Sequence, residues 1–164
     1  MSVSSYTVSR IHGLVRQADY AATILWLIAL VVNLQRLPHP DVSWYLVATD
    51  RFVDGGVLYR DIVEINPPLA FYLHVPPIIA ARLTGWSPEA WFFGYVFVLI
   101  AGALAIIRHL LHSVSRLSMT HRGGMLLASF SVLVILPWHV FGEREHFLLV
   151  SSLPYFFLIA ARRE

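Results

Sequence analysis

Residues 91–107 read WFFGYVFVLIAGALAII, and none of them carries a charge. A helix needs ~17–25 apolar residues to cross the hydrocarbon core of a bilayer, and this run meets that length without help. Three further apolar runs, residues 21–34, 123–140 and 147–161, lie near the lower limit. Interfacial residues must complete them. Composition points the same way. Hydrophobic residues make up 57% and charged residues 13%, about half the ~25% charge of an average soluble protein. The mean hydropathy is +0.65. These values imply an integral membrane protein.

The first apolar run lacks a small-residue cleavage site and leads into Gln35, Arg36 and Pro38. It reads as a retained anchor rather than a signal peptide. Cysteine is absent, which excludes disulfides, thiolate metal sites and cysteine nucleophiles. The net charge is +2 and all twelve basic residues are arginine, with no basic stripe, so nucleic acid is excluded as a partner. No phosphate-binding glycine loop, serine elbow or zinc helix motif is present.

Residues 67–83 form a fifth apolar segment, interrupted by Pro67, Pro68, Pro76 and Pro77 and carrying His74. Proline removes a helical hydrogen bond, and in lipid the freed carbonyl has no water to turn to. Arginine placement decides the topology. If 67–83 does not span, one side holds Arg10, Arg16, Arg108, Arg116, Arg122, Arg162 and Arg163, with Asp19 and Glu164 its acids. The other side then holds five arginines and eight acids. The positive-inside rule therefore favours four spans, at about 20–37, 89–108, 123–141 and 147–161, with both ends cytoplasmic. The expectation is an all-α integral membrane protein of the cytoplasmic (inner) membrane. Membrane lipid surrounds it, and the acidic loop 38–88 lies outside.

That loop begins with an amphipathic pattern. Val42, Tyr45, Leu46, Thr49, Phe52 and Val53 fall on one helical face, and Asp50, Arg51 and Asp54 on the other. The spacing predicts a surface helix over 42–54, stopped by Gly55-Gly56, and a second over 67–83 in the outer interface. Asp41 has two readings. One is an N-cap of the first surface helix. The other is a carboxylate acting as base or electrostatic anchor. The turn FGEREH, residues 141–146, lies on the same outer side. Its Glu143, Arg144, Glu145 and His146 read either as a solvated turn or as a site in which Arg144 grips a phosphate. His109 and His112 read as basic interfacial residues rather than a metal pair, and Asp61 and Glu64 as loop acids.

The order of these features resembles the first outer loop of GT-C fold membrane glycosyltransferases. These are the protein O-mannosyltransferase and aminoarabinose transferase relatives that use polyprenyl-phosphate sugars. The matching residues are Asp41, Tyr45, Ala48, Gly55, Tyr59, Asp61, Pro67, Pro68 and Leu69, followed by GEREHFLLVSSLPYFFL. The resemblance implies a glycosyltransferase that moves a sugar from a polyprenyl-phosphate-linked donor. Asp41 would activate or orient the acceptor hydroxyl, and Glu145, or alternatively Glu143, would be the second acid. Arg144 would stabilise the departing phosphate, with Tyr59 and Asp61 also on the substrate side. It implies no obligatory cofactor. A divalent metal helps some relatives, and His146 and Glu145 are the residues able to join such a site. Val42, Ile65 and Asn66 depart from the pattern, which leaves Glu64 without a clear metal role. The relatives are much longer, so the chain is expected to be their N-terminal part, completed by further membrane helices of the same or another chain. The alternative is a non-catalytic membrane protein or assembly subunit that kept this module. A transporter fits less well, because the charges gather at the span edges and not at mid-membrane.

Overall fold

The computed structural model describes residues 24–114 and 116–162. Arg10, Arg16 and Arg163, on which part of the topology argument rests, lie outside them. The described chain is helical, with no strand beyond one isolated bridge between Leu58 and Ile62. It divides into two units, Met1–Arg36 and Leu37–Glu164. The first contains α1 (Ile24–Leu34). There Asn33 donates to the Ala29 carbonyl at 2.8 Å and its Oδ1 receives Arg36 at 3.2 Å.

The second unit contains α2 (Pro40–Val53), α3 (Leu69–Thr84), α4 (Pro88–Ser113), α5 (Met119–Phe130) and α6 (Arg144–Arg162). α4 starts where its sequence dictates. Ser87 accepts the Ala90 N–H at 3.2 Å, Pro88 occupies the first turn and Glu89 faces the helix dipole. With 26 residues it is roughly 39 Å long at ~1.5 Å per residue. Among the described helices it is the one long and apolar enough to cross a membrane. α6 has 19 residues but opens on Arg144-Glu145 and closes on Arg162, which shortens its apolar stretch. α5 continues into a π-helical turn, Ser131–Ile135, and ends well short of the expected residue 141.

The surface helices form close to the expected bounds. α2 buries Val42, Tyr45, Leu46 and Thr49 of the apolar face read from the sequence, with Ala48 beside them, while Phe52 and Val53 of that face are half-buried. It ends at Val53, and Gly55 takes the turn at φ +94°. The N-cap is different, however. α2 starts two residues earlier, so His39 caps it and accepts the Asp41 N–H, while Asp41 stands inside the first turn. The cap reading of Asp41 is therefore corrected. Pro40, preset for the first helical position, moves the start. The outer acids of α2 are not simply solvated either. Arg82 of α3 binds Asp50 at 2.6 Å and Asp54 at 2.8 Å. α3 runs through Pro76 and Pro77 and stops at Gly85.

α3 packs on both α2 and α4, and α4 packs on α5 and α6. Phe71, Ile78, Phe92, Phe97, Ile100, Ile107 and Leu133 are fully buried. An aromatic cluster joins the elements. His74 stacks on Phe92 at 5.0 Å with a 7° interplanar angle, and Phe97 meets Phe141 at 5.4 Å.

One glycine is needed where the α5–α6 turn meets this cluster. Gly142 has φ +85°, and a Cβ there would lie 2.5 Å from the Phe92 ring. Gly142→Ala combines left-handed strain with a ring clash. We expect it to lower stability by about 2–4 kcal/mol. Thermal unfolding in detergent measures this, and an unchanged midpoint would refute it.

Candidate functional site

A crevice in the second unit is lined by Asp41, Val42, Tyr45, His74, Gly142, Glu143 and Arg144. It gathers α2, α3 and the turn before α6, so residues a hundred positions apart in sequence meet there. It is tight, with no room for a water-sized sphere as it stands.

The turn is held by His146. Its Nδ1 accepts the Gly142 N–H at 2.9 Å, and its Nε2–H donates to the Leu133 carbonyl at 2.8 Å. That carbonyl belongs to the π-helical turn, where the regular bonding ladder is interrupted. Both ring nitrogens are thus engaged, which fixes the neutral tautomer. His146 cannot ligate a metal without breaking the turn, so the expectation that it could join a metal site is corrected.

Glu143 faces the crevice with a side chain 13% exposed. Glu145, the first choice for the second acid, is 66% exposed and lies outside the crevice. Helical geometry decides this. Two residues apart at a helix start point in different directions. His39 Nδ1 lies 2.9 Å from Glu143 Oε1 and 3.4 Å from the Asp41 N–H. The Glu143 contact is a close approach without hydrogen-bond alignment. One donor atom each from His39, Asp41 and Glu143 falls within 4.8 Å of the others. A nitrogen with two carboxylates fits a divalent cation. Sequence reading assigned no metal ligands; it named Glu145 and His146 only as residues able to join such a site and did not consider His39.

Arg144 is positioned by a relay. Its Nη1 donates to Asn66 Oδ1. Asn66 Nδ2 in turn donates to Glu64 Oε1 at 2.7 Å, and Trp44 Nε1 donates to Glu64 Oε2 at 2.9 Å. The backbone N–H groups of Ile65 and Asn66 complete the Glu64 shell. Glu64 therefore organises the loop. Tyr59 and Asp61 also shape it and do not reach the crevice. The Tyr59 hydroxyl donates to the Asn66 carbonyl at 2.8 Å. Asp61 accepts from Arg60 and from the Val57 N–H, both at 2.9 Å. The Arg60 bond, then the Val57 bond, hold its carboxyl below the usual range.

Three buried polar atoms of the crevice lining, Glu143 Oε1, Tyr45 Oη and His74 Nε2, lack an aligned hydrogen bond. Tyr45 is 4% exposed and His74 is 1% exposed. His74 Nε2 has no hydrogen-bond partner among the described residues, and Tyr45 Oη makes no aligned one, although the Asn66 side chain interacts with it. Such atoms typically cost about 1–3 kcal/mol each. Burial, then the Glu64 charge, push the Tyr45 hydroxyl up. Burial pulls His74 down, opposed only in part by its bond to Ala70. Sequence reading named Tyr45 on the apolar face and in the resemblance, and His74 in the fifth segment, but gave neither a site role, because each sits at a core-like helical position. No protein-family model, curated protein or solved structure matches the chain.

The relay gives a pH prediction. Burial raises the Glu64 pKa, but the Trp44, Asn66 and Ile65 donors outweigh it and hold the carboxyl below its ordinary value. A depressed acid contributes stability above its unfolded pKa and loses it as pH falls through the lower folded value. Trp44 fluorescence should therefore change only below the ordinary glutamate range, and Glu64→Gln should abolish the step. A transition at or above that range would contradict the relay.

Proposed function

We propose that this chain is a membrane glycosyltransferase of the polyprenyl-phosphate-dependent kind, or its N-terminal part, working at the outer face. The observation that carries this reading is the crevice in which Asp41, Glu143 and Arg144 converge from opposite ends of the chain. The pattern that resembles the GT-C outer loop contributes the first of them, and the FGEREH turn the other two.

The chemistry follows from the groups. The acceptor O–H attacks the anomeric carbon, its proton passes to Asp41, and the bond to the phosphate oxygen breaks. The leaving polyprenyl phosphate takes the electron pair. Arg144 has planar, bidentate donors and can exchange Asn66 for a phosphate oxygen. Glu143 is the second acid in this scheme. If a divalent cation binds, His39, Asp41 and Glu143 would hold it, and it would supply further charge neutralisation near the phosphate. In the same reading four helices span and both ends are cytoplasmic. α4 by its length and the outer pairing of α2 with α3 support that.

Two expectations test this reading. Membranes containing the protein should transfer sugar from a polyprenyl-phosphate donor. Asp41→Asn should lower the rate by about 10²–10⁴-fold and Arg144→Ala by about 10²–10³-fold. Glu143→Gln should be far more harmful than Glu145→Gln, and equal effects would remove the crevice from the mechanism. No transfer by the wild-type chain would favour the second reading, a non-catalytic assembly subunit. Separately, reporters fused at Gly56 and Thr120 should lie on opposite faces of the membrane, and finding both on one side would overturn the four-span topology.

A further inference from the structure

The His74 ring is fixed in every degree of freedom that matters for recognition. It is stacked between Tyr45, at 5.3 Å, and Phe92, at 5.0 Å. Its Nδ1 lies 2.7 Å from the Ala70 carbonyl. A carbonyl can only accept, so Nδ1 carries the proton and Nε2 presents a bare lone pair. That lone pair is buried and unpartnered among the described residues, and the side chain lines the crevice beside Asp41 and Glu143. Tyr45 lines the same crevice with a hydroxyl that makes no aligned hydrogen bond, interacts with the Asn66 side chain, and can both donate and accept. A phenylalanine at position 74 would fill the same stack without a lone pair to satisfy. A fixed acceptor in a crevice that also holds a hydroxyl, two carboxylates and an arginine is complementary to a neutral hydroxyl group.

We propose that this crevice is a sugar subsite, in which a ring hydroxyl of the sugar donates to His74 Nε2 and its oxygen accepts from Tyr45 Oη. The inference rests on the transferase reading for its choice of sugar and assigns His74 and Tyr45 as substrate-binding residues. Neither moves a proton in the reaction. The crevice is narrow as it stands, so the sugar enters by displacing lining side chains. Asp41 and Arg144 are the ones at its solvent side, Arg144 being 40% exposed.

The test uses the full chain in detergent, labelled with ¹⁵N in the histidine rings. The His74 signals are assigned by their loss in His74→Gln. The signals should report the Nδ1–H tautomer. Titration with methyl mannoside should move the Nε2 resonance, and titration with inorganic phosphate should not. A resonance that phosphate moves and the sugar does not would overturn the subsite. So would one that neither moves, which would leave His74 a core residue or the partner of a water. His74→Phe keeps the stack and should melt at or above the wild-type temperature. In a transfer assay it should lower kcat/KM about three- to tenfold, the loss of one neutral hydrogen bond, chiefly through the donor KM. His74→Gln should recover part of that loss. A His74→Phe variant that melts well below wild type, with activity falling only as folded protein falls, would mark His74 as structural. The two readings separate cleanly. A sugar-dependent shift without any transferase activity would sink the enzyme and keep the subsite. Transfer that His74→Phe leaves untouched would do the reverse.

Discussion

The stack of Tyr45, His74 and Phe92 joins α2, α3 and α4 through three parallel or near-parallel rings, and the candidate site is built around it. The Phe92 ring that receives His74 also meets Gly142, so the ring sets how closely the turn before α6 can approach. With Gly142 in contact, Glu143 and Arg144 come to the crevice. With Tyr45 in contact, the first turn of α2 brings Asp41 to the same place. Aromatic stacking fixes ring planes as well as distances, which makes it better suited than aliphatic packing to holding a polar group in one orientation.

Two polar devices complete the arrangement, and each satisfies atoms that would otherwise be costly. His146 closes the turn by taking the Gly142 N–H and supplying the carbonyl left over at the π-helical turn. Glu64 gathers the donors of Trp44, Ile65 and Asn66, and Asn66 then holds Arg144. Inside a structure of low polarity such chains of hydrogen bonds either satisfy every member or destabilise the fold. Both chains are satisfied at the turn and in the loop. At Tyr45 and His74 the same rule is broken inside the crevice, and it is broken as well at Thr49 Oγ1 and Arg122 Nε away from it.

Much of the architecture was legible in the residues. The uncharged run at 91–107 is the heart of α4, and the apolar face of residues 42–53 is the buried face of α2. Gly55-Gly56 stops that helix as its lack of a side chain predicts. The helical start was misplaced by two residues because Pro40 is a strong first residue, and the cap therefore fell on His39. The FGEREH turn was singled out for its charge, yet which of its acids faces inward was not legible. Glu143 and Glu145 are chemically identical, and only the angle at which α6 leaves the turn separates them.

The sequence by itself determined that this chain is helical, apolar and edged with charge, because those properties follow from hydrophobic periodicity and from where arginine and acid are allowed. Tertiary structure alone decided which charges meet. Asp41 and Glu143 are brought together by packing through α3 and α4, and no spacing in the chain encodes that distance. His74 shows the difference most clearly. In the sequence it is one polar residue on an apolar face, the ordinary profile of a core histidine. In the structure, one nitrogen is committed to the Ala70 carbonyl and the other is left facing a crevice of ionisable groups. The residue's meaning changes because hydrogen-bond satisfaction is a property of neighbours in space, which one-dimensional order does not specify.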